Sequence, residues 1–577
     1  MVKETERYAK LAVDYLFSHG VYILLFLFLT FFLIQAPASV SLNDFRGWLD
    51  STTAVLGGCL LLCLLIIYLL VRPRPVYLME IACYKPKKST QEFISMSDFA
   101  GVFSPENLEF QRRILERSGL GHETYLPETV LLAPSYNHPV EARKEASAVM
   151  FEPVEALLKK TGLRPEDVDI LIVNCGLFNP APSLSAMVVN RFKLRHDVIT
   201  FNLGGMGCSA SPIAIALARD LLQLNRNSYA IVISIENTAM GGRYEGNDRS
   251  MLVSNCLFRV GGAAVLLTNK RSERRRSKYQ LMHVVRTHTG AEDQSFMAAA
   301  QVVDADGKLG ISLSKNLMAV AADALRINLT TLGPLILPAS EKLIYVAKWL
   351  AKRVIMNNKA AGETKPYVPD FTRAVEHVCI HTGGRGVVEE MGRCLRLTEW
   401  HLEPSRMTLH RFGNTSSSSV WYVLAYAEAK GRVRKGDRVW QIALGGGFKC
   451  NSAVWRALRT VKAAAEDPDL NPWADEISKF PVQVAVSSNA DTMGIRLWKR
   501  WWHKPGCRKN KEGKAVASGG RSWSPRRWSR TALLPSTTRR DLGHNPKGHK
   551  VDGGAGSELV AGDSAGCRGA AAVVNPN

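Results

Sequence analysis

A cysteine behind a glycine-rich turn, at the mouth of a helix, is the first feature of this chain that could do chemistry. Residues 198–222 read VITFNLGGMGCSASPIAIALARDLL. An apolar run of strand length leads to a turn built on Gly204, Gly205 and Gly207, then Cys208, and a helix begins over Ser209 to Pro212. Unpaired backbone N–H groups at a helix start favour a thiolate, so this position predicts a Cys208 pKa below the ordinary value of about 8.5. The glycines allow a tight turn and leave room for a substrate to approach. A structural turn followed by a core cysteine satisfies the same pattern, because a lone cysteine is most often a small buried hydrophobe.

A nucleophilic thiol needs groups that handle its proton and the charge developing on a carbonyl oxygen. His381 ends VEHVCIH and enters the loop TGGRG, which predicts a ring emerging at a sheet edge. Asn414 stands in HRFGNTSSSS, ahead of a helix running from Thr415 toward Ala429. Each has a plainer alternative, a satisfied loop histidine and an N-cap asparagine. With Cys208 they form a Cys/His/Asn set whose meeting in space the spacing leaves open.

The elements that must position these residues alternate along the chain. Ser104-Pro105-Glu106 opens a helix that Gly119 closes, and a second helix runs from Pro139 past Leu158 to a stop at Gly162. Val168–Asn174 is an apolar run of strand length, the mark of a strand buried on both faces. Comparable runs cover 198–202, 229–234, 263–267, 375–380, 439–444 and 450–455. Alternation in both halves argues for a layered α/β fold and is consistent with a duplicated one.

Composition is that of a globular protein with extra apolar sequence: 577 residues, 46% hydrophobic and 22% charged. The eleven cysteines lack the paired spacing of a zinc site or a disulfide framework, which suits a reducing compartment and no metal. The net charge is +22, and residues 486–577 supply half of it, with 17 Lys and Arg against 6 Asp and Glu. The body is therefore only mildly basic, which fits polyanionic CoA thioesters or an anionic membrane surface better than nucleic acid.

Two apolar runs, Val21–Ile34 and Ala54–Val71, carry no charge. A helix crossing the ~30 Å hydrocarbon core wants about 20 residues, so spans of about 20–39 and 54–71 are expected. Lys3, Arg7 and Lys10 precede the first, and Arg72, Arg74, Lys85, Lys87 and Lys88 follow the second. That bias puts both termini and the body in the cytosol. Arg72-Pro73-Arg74-Pro75 reads as a stiff boundary.

Further motifs stand in order: ACYKP at 82–86, NLGGMGCSA at 202–210, RTHTGA at 286–291, TLGPLILP at 331–338, HTGGRG at 381–386, MTLHRFGNTSSSS at 407–419 and FKCNSAVW at 448–455. Over roughly Tyr8 to Ala485 the chain resembles the plant 3-ketoacyl-CoA synthases, condensing components of microsomal fatty-acid elongases in the thiolase-like superfamily. The resemblance implies an αβαβα sandwich of two similar halves. It implies Cys208 as the nucleophile toward acyl-CoA, with His381 and Asn414 donating to the malonyl-CoA thioester oxygen as carbon dioxide leaves. Decarboxylation supplies the carbanion without a strong base, in keeping with a set that lacks an obvious carboxylate. An oxyanion site is expected from the Cys208 N–H and the loop Gly445-Gly446-Gly447, with Gly446 preferred. His288, His377 and His410 match histidines of the family pattern and join the candidates. A metal pair of His377 and His381, four apart on one strand face, is the weaker reading. Thr382, Gly386 and Ser211 stand where the family has small alanines and a glycine.

Beyond NPWADEISKFPVQV the character changes. RLWKRWWHKPGCRKNKEGK and RSWSPRRWSR mix cations with tryptophan without periodicity, and GGAGSELVAGDSAGCRGAAA is of low complexity. Composition favours a disordered extension over a membrane- or nucleic-acid-binding arm. The expected organisation is an anchor over 1–75, condensing-enzyme halves over 76–375 and 376–485, and a basic tail over 486–577. The expected function is 3-ketoacyl-CoA synthesis in very-long-chain fatty-acid elongation at the endoplasmic reticulum membrane, by a homodimer working with elongase reductases and a dehydratase and needing no cofactor beyond its CoA thioester substrates. The alternatives are a type III polyketide synthase-like enzyme and a non-catalytic elongase subunit.

Overall fold

The structure, a computed structural model, describes residues 57, 58, 60–65, 68, 73–86, 103–125, 139–237, 244–357, 367–463 and 467–483. In chain order its strands are β1 (Tyr77–Cys83), β2 (Ile170–Cys175), β3 (Ile199–Gly204), β4 (Tyr229–Glu236), β5 (Gly261–Thr268), β6 (Tyr279–His288), β7 (Ala299–Val303), β8 (Leu309–Leu313), β9 (His377–Ile380), β10 (Arg438–Gly445) and β11 (Lys449–Ala457). The seven expected strand runs fall on β2 to β5 and β9 to β11. β1, β6 and the β7–β8 hairpin were not anticipated.

Nine strands pair in the order β3-β2-β4-β5-β1-β6-β11-β10-β9. The order repeats a motif. In the first part β1 pairs antiparallel with β5, β5 antiparallel with β4, and β4 runs parallel to β2. In the second, β6, β11, β10 and β9 repeat those relations in the same sequence. The strand repeat thus starts at Tyr279. Two residue pairs, Tyr77↔Gln280 and Leu78↔Tyr279, join the parts. Buried Lys278 braces that seam, its ammonium 2.5 Å from Glu80 and 2.8 Å from Glu428.

Successive residues of each strand serve different layers, as a period of two requires. Ile170 and Ile172 of β2 pack with the central helices Ala210–Leu224 and Ser419–Ala429, whereas Leu171 and Val173 face the outer helices Pro139–Thr161 and Leu184–Phe192. On β10, Val439 and Ala443 face the same central helices, and Trp440 and Ile442 face Leu317–Ile336 and Arg385–Leu395. The result is helix, sheet, helices, sheet, helix. Ser419–Ala429 is buried at every residue, consistent with its apolar sequence on all sides. Trp421 Nε1 donates to Ser211 Oγ at 2.6 Å, and Ser211 shares a second hydrogen bond with Ser234 Oγ at 2.7 Å. The hydroxyl at this non-glycine position is thereby satisfied while tying the two central helices together.

The expected span 20–39 lies outside the described residues. Of 54–71, residues 57, 58, 60–65 and 68 are described and helical, with Leu60, Leu62 and Leu65 exposed. Among the described residues no helix is long and apolar enough to cross a membrane. The tail over 486–577 lies outside the described residues.

Candidate active site

Strand β3 ends in the glycine turn, and Gly205 and Gly207 adopt φ of +64° and +67°, values open to glycine at little strain. Cys208 follows in a short 3-10 turn over Gly207–Ser209 that runs into the central helix. The loop after β10 closes on this turn: a Cβ on Gly207 would meet Gly446 N at 2.9 Å, and one on Gly445 would meet Ser209 N at 2.8 Å and Cys208 N at 3.2 Å. The two backbone segments expected to share an oxyanion site are therefore in contact, and side chains are excluded between them.

A cavity of about 600 Å³ opens onto this junction, lined by Cys208, His381, Asn414 and the loop Gly445–Gly447. His381 lies just beyond β9, and its Nε2 is 3.3 Å from Asn414 Oδ1. Asn414 Oδ1 also accepts from Ser416 N–H at 2.9 Å. Because Oδ1 faces two donors, Nε2 carries the histidine proton, and the Asn414 amide hydrogens remain for a group in the cavity. Asn414 does not cap the helix from Thr415. Ser416 takes a left-handed φ of 54°, so the chain makes a local turn and the helix begins at Ser419.

The thiol departs from expectation. Burial, with Glu236 adding to it, pushes Cys208 up to about 12 despite the helix mouth. Opposing this are a hydrogen bond to the Ser416 hydroxyl and one to its own backbone N–H. Desolvation of the thiolate outweighs the helix-start field because no cation sits beside the sulfur to repay it. At rest the Cys208 side chain is a thiol.

Burial likewise pulls His381 down from 6.5 to about 4, against a smaller effect of Asn414, so its ring is neutral at physiological pH. A folded-state pKa below the unfolded one means that stability is full above about pH 6.5 and falls as pH drops toward 4, by roughly 1.4 kcal/mol per unit. Urea unfolding across that window should show a shallower slope in His381→Gln than in the parent; equal slopes would remove the buried neutral ring as the cause.

Of the remaining histidines only His288 lines the cavity, where its exposed ring accepts from Gly290 N–H at 3.1 Å. His377 begins β9 and its ring is 2.9 Å from Asp437 and stacked near Trp400, away from the cavity. Its separation from His381 follows from β9 ending at Ile380, so the strand alternation stops between them. His410, on the helix Glu399–Phe412, packs beside Gly121 and Phe480 and also misses the cavity. No cluster fit to hold a metal ion occurs among the described residues.

Three lining residues escaped the sequence reading. Glu236 closes β4 as a buried carboxyl, accepting from Leu177 N–H at 3.1 Å and Asn237 N–H at 3.3 Å, with its pKa raised by burial. An acid ending the apolar run YAIVISIE was its only signal. The site does hold a carboxylate. The Ser416 hydroxyl lies in hydrogen-bond contact with both Glu236 and Cys208. Lys449, opposite His288 in the β6–β11 register, donates to Gly446 O at 2.7 Å and so pins the glycine loop.

A half-buried thiol, a neutral histidine, an asparagine with free amide hydrogens and paired backbone segments suit acyl transfer through a covalent thioester. The FAE1/Type III polyketide synthase-like family model matches residues 68–354, and the 3-oxoacyl-[acyl-carrier-protein] synthase III C-terminal model matches 372–457. The division between them falls just before β9. The chain is 55% identical to 3-ketoacyl-CoA synthase 11 of Arabidopsis thaliana over 488 residues, covering 83% of this chain and 94% of that protein. It is 54% identical to 3-ketoacyl-CoA synthase 2 of the same plant over 499 residues, covering 84% and 92%. The chain belongs to the 3-ketoacyl-CoA synthase family. A probable 3-ketoacyl-CoA synthase 20 of Oryza sativa subsp. japonica is 53% identical over 435 residues, covering 74% and 82%. Among solved structures, PKS-I from the brown alga Ectocarpus siliculosus aligns with a TM-score of 0.51 at 18% identity, covering 67% of this chain and 99% of that one. CsyB complexed with CoA-SH aligns with 0.52 at 18% identity, covering 66% and 100%. At that identity the likeness concerns the fold, which is of the thiolase-like α/β type with a mixed sheet. The residues beside His381 where small alanines were expected fit without strain. Thr382 donates its hydroxyl proton to Gly413 O at 2.8 Å, and a side chain at Gly386 would meet open space.

Proposed function

We propose that the chain condenses malonyl-CoA with a long-chain acyl-CoA to give a 3-ketoacyl-CoA two carbons longer, the first step of very-long-chain fatty-acid elongation. The observation that carries this reading is the single cavity lined by Cys208, His381, Asn414 and Gly445–Gly447 in a chain more than half identical to 3-ketoacyl-CoA synthases.

In this reading Cys208 sulfur attacks the acyl thioester carbonyl, whose oxygen takes hydrogen bonds from the Cys208 and Gly446 N–H groups. The carbon–sulfur bond to CoA breaks, and the thiol proton leaves on free CoA. Malonyl-CoA then enters, and the bond to its carboxylate breaks, releasing carbon dioxide and leaving an enolate. Its oxygen accepts from the Asn414 amide and from the His381 Nε2–H, which it shares with Asn414 Oδ1 in a long three-centre bond, and these donors hold the negative charge. The enolate carbon attacks the acyl-cysteine, and the departing thiolate is reprotonated. A neutral His381 suits this role, because it donates through Nε2 without carrying a charge of its own. The raised thiol pKa requires that the proton leave only as substrate arrives, with the Ser416 hydroxyl in contact with the sulfur.

The rest of the reading has separate supports. The charge-free runs at 21–34 and 54–71 support a two-span anchor over 1–75 in the endoplasmic reticulum membrane, with termini and body cytosolic. The edge strand β3 supports a homodimer: Thr200, Phe201 and Asn202 are exposed while β2 beside it is buried throughout. Association with elongase reductases and a dehydratase follows from the 3-keto product, which must be reduced and dehydrated before another round. A polyketide reading rests on the breadth of the family model, which spans both activities, and on fold-level likeness at 18% identity; the 55% identity to a 3-ketoacyl-CoA synthase favours elongation.

Expressed in a host that makes only shorter fatty acids, the chain should yield very-long-chain products. Removal of residues 486–577 should leave that yield within about twofold, as expected of a solvated low-complexity extension. No new products from membrane-held full-length chain would sink the elongation reading, and collapse on truncation would sink the passive tail.

A further inference from the structure

Among its described side chains the helix Ala339–Asn357, ASEKLIYVAKWLAKRVIMN, gives none to the cavity lining and none to the apolar core. Its first turn is tied down by buried Glu341, which accepts from the Arg373 guanidinium, the Tyr367 hydroxyl and Asp370 N–H. Beyond that turn every residue from Leu343 to Leu350 is exposed. Leu343 is 70% exposed, Val346 48% and Leu350 49%.

The pattern has a direction. At 3.6 residues per turn Leu343, Val346, Ala347 and Leu350 share one face, and Lys348 stands on the other. The Lys348 ammonium lies 4.1 Å from the centroid of the Tyr367 ring. The lysine side is therefore turned to the body and the leucine face away from it. The helix sequence carries Lys342, Lys348, Lys352 and Arg353 against a single acid, Glu341, which Arg373 already takes up. These cations interrupt the helix too often for it to cross a bilayer, and it is not among candidates long and apolar enough to do so. An apolar stripe on a helix of net positive charge instead matches a helix lying in the plane of a membrane surface.

We propose that the Leu343–Val346–Leu350 face of this helix rests in the headgroup–acyl boundary of an anionic bilayer. Charge selects this occupant: the excess of cations in the helix sequence complements anionic headgroups, whereas a second copy of the helix would bring the same cations together. The proposal rests on the reading of residues 1–75 as an anchor, which brings the body to a bilayer, and adds a second, peripheral contact. The preceding helix Leu317–Ile336 lines the cavity through Leu317 and Ala321. Seating its neighbour on the membrane would hold the cavity in a fixed attitude to the layer where long acyl chains reside.

The test uses the full chain in nanodiscs of phosphatidylcholine and phosphatidylserine, with an environment-sensitive fluorescent amino acid at Val346, at Leu350 or, as the opposite-face control, at Lys348. Condensing activity serves as the folding check, and Val346 and Leu350 guard against failure of either. With lipids brominated along the acyl chain, the labels at 346 and 350 should be quenched at least twofold more than that at 348. Quenching no greater than at 348, in chain that stays with the discs, overturns the surface contact and leaves the anchor reading standing. A blue-shifted label that bromine does not quench and dilution restores would mean that protein covers the face, which also overturns it. Chain that does not stay with the discs overturns both readings.

Discussion

Cys208→Ala should abolish elongation, with a loss of roughly ten-thousandfold or more. The substitution removes the sulfur while keeping the backbone N–H that lies against the Gly445–Gly447 loop. Alanine suits the 3-10 turn and adds no bulk to the cavity, so the fold and thioester binding should survive. The discriminating measurement is mass spectrometry of the protein after exposure to long-chain acyl-CoA without malonyl-CoA. The parent should gain the acyl mass on the peptide bearing Cys208, and the variant should gain none. Acylation that persists in the variant would move the nucleophile to another residue, and very-long-chain products from the variant would remove covalent catalysis altogether.

His381→Ala should separate the two half-reactions. Loss of a preorganised donor to a developing oxyanion reduces rate by about a hundred- to a thousandfold. The enolate of malonyl-CoA is where this loss should fall, since Gly446 and Cys208 N–H groups serve the acyl carbonyl. Acyl loading of Cys208 should then proceed near the parental rate, while carbon dioxide release from labelled malonyl-CoA and condensation both drop. Asn414→Ala should follow the same split, because Asn414 Oδ1 also holds the His381 ring in place. If loading falls as far as decarboxylation, His381 handles the thiol proton instead, and the assignment to the enolate is wrong.

The sequence carried the layered fold well where strands are apolar on both faces. β2, β4 and β5 are buried at every residue and read as such. β6 was missed because it alternates between buried and exposed positions, with two histidines and an arginine among its ten residues. β1 follows directly on the second apolar run, and its buried Glu80 makes sense only with Lys278 across the seam. Pairing between residues so far apart in the chain leaves no local mark. The alternation of strands and helices left duplication open, and the β6 strand that opens the strand repeat was itself unread.

Within the site, motif and local geometry pointed to Cys208, His381, Asn414, Gly446 and His288, all of which line one cavity. His377 and His410 lie away from it: one bonds Asp437, the other packs over Gly121. What spacing could not supply was desolvation. A helix mouth is legible in sequence and argues for a thiolate, but the depth of the cavity, the neighbouring Glu236 and the lack of a cation beside the sulfur reverse the sign. Glu236 and Ser416 were missed for a related reason, since each gains its role only where the end of β4 and the turn after Asn414 converge.

The high pKa of the idle thiol has a consequence for the life of the enzyme between turnovers. Peroxides and alkylating agents attack the thiolate, and sulfenic acid formation is the first rung of a ladder whose upper rungs are irreversible. A thiol held protonated by burial presents little thiolate to such reagents. The burial that raises the Cys208 pKa thus also favours a chemically quiet side chain between substrates.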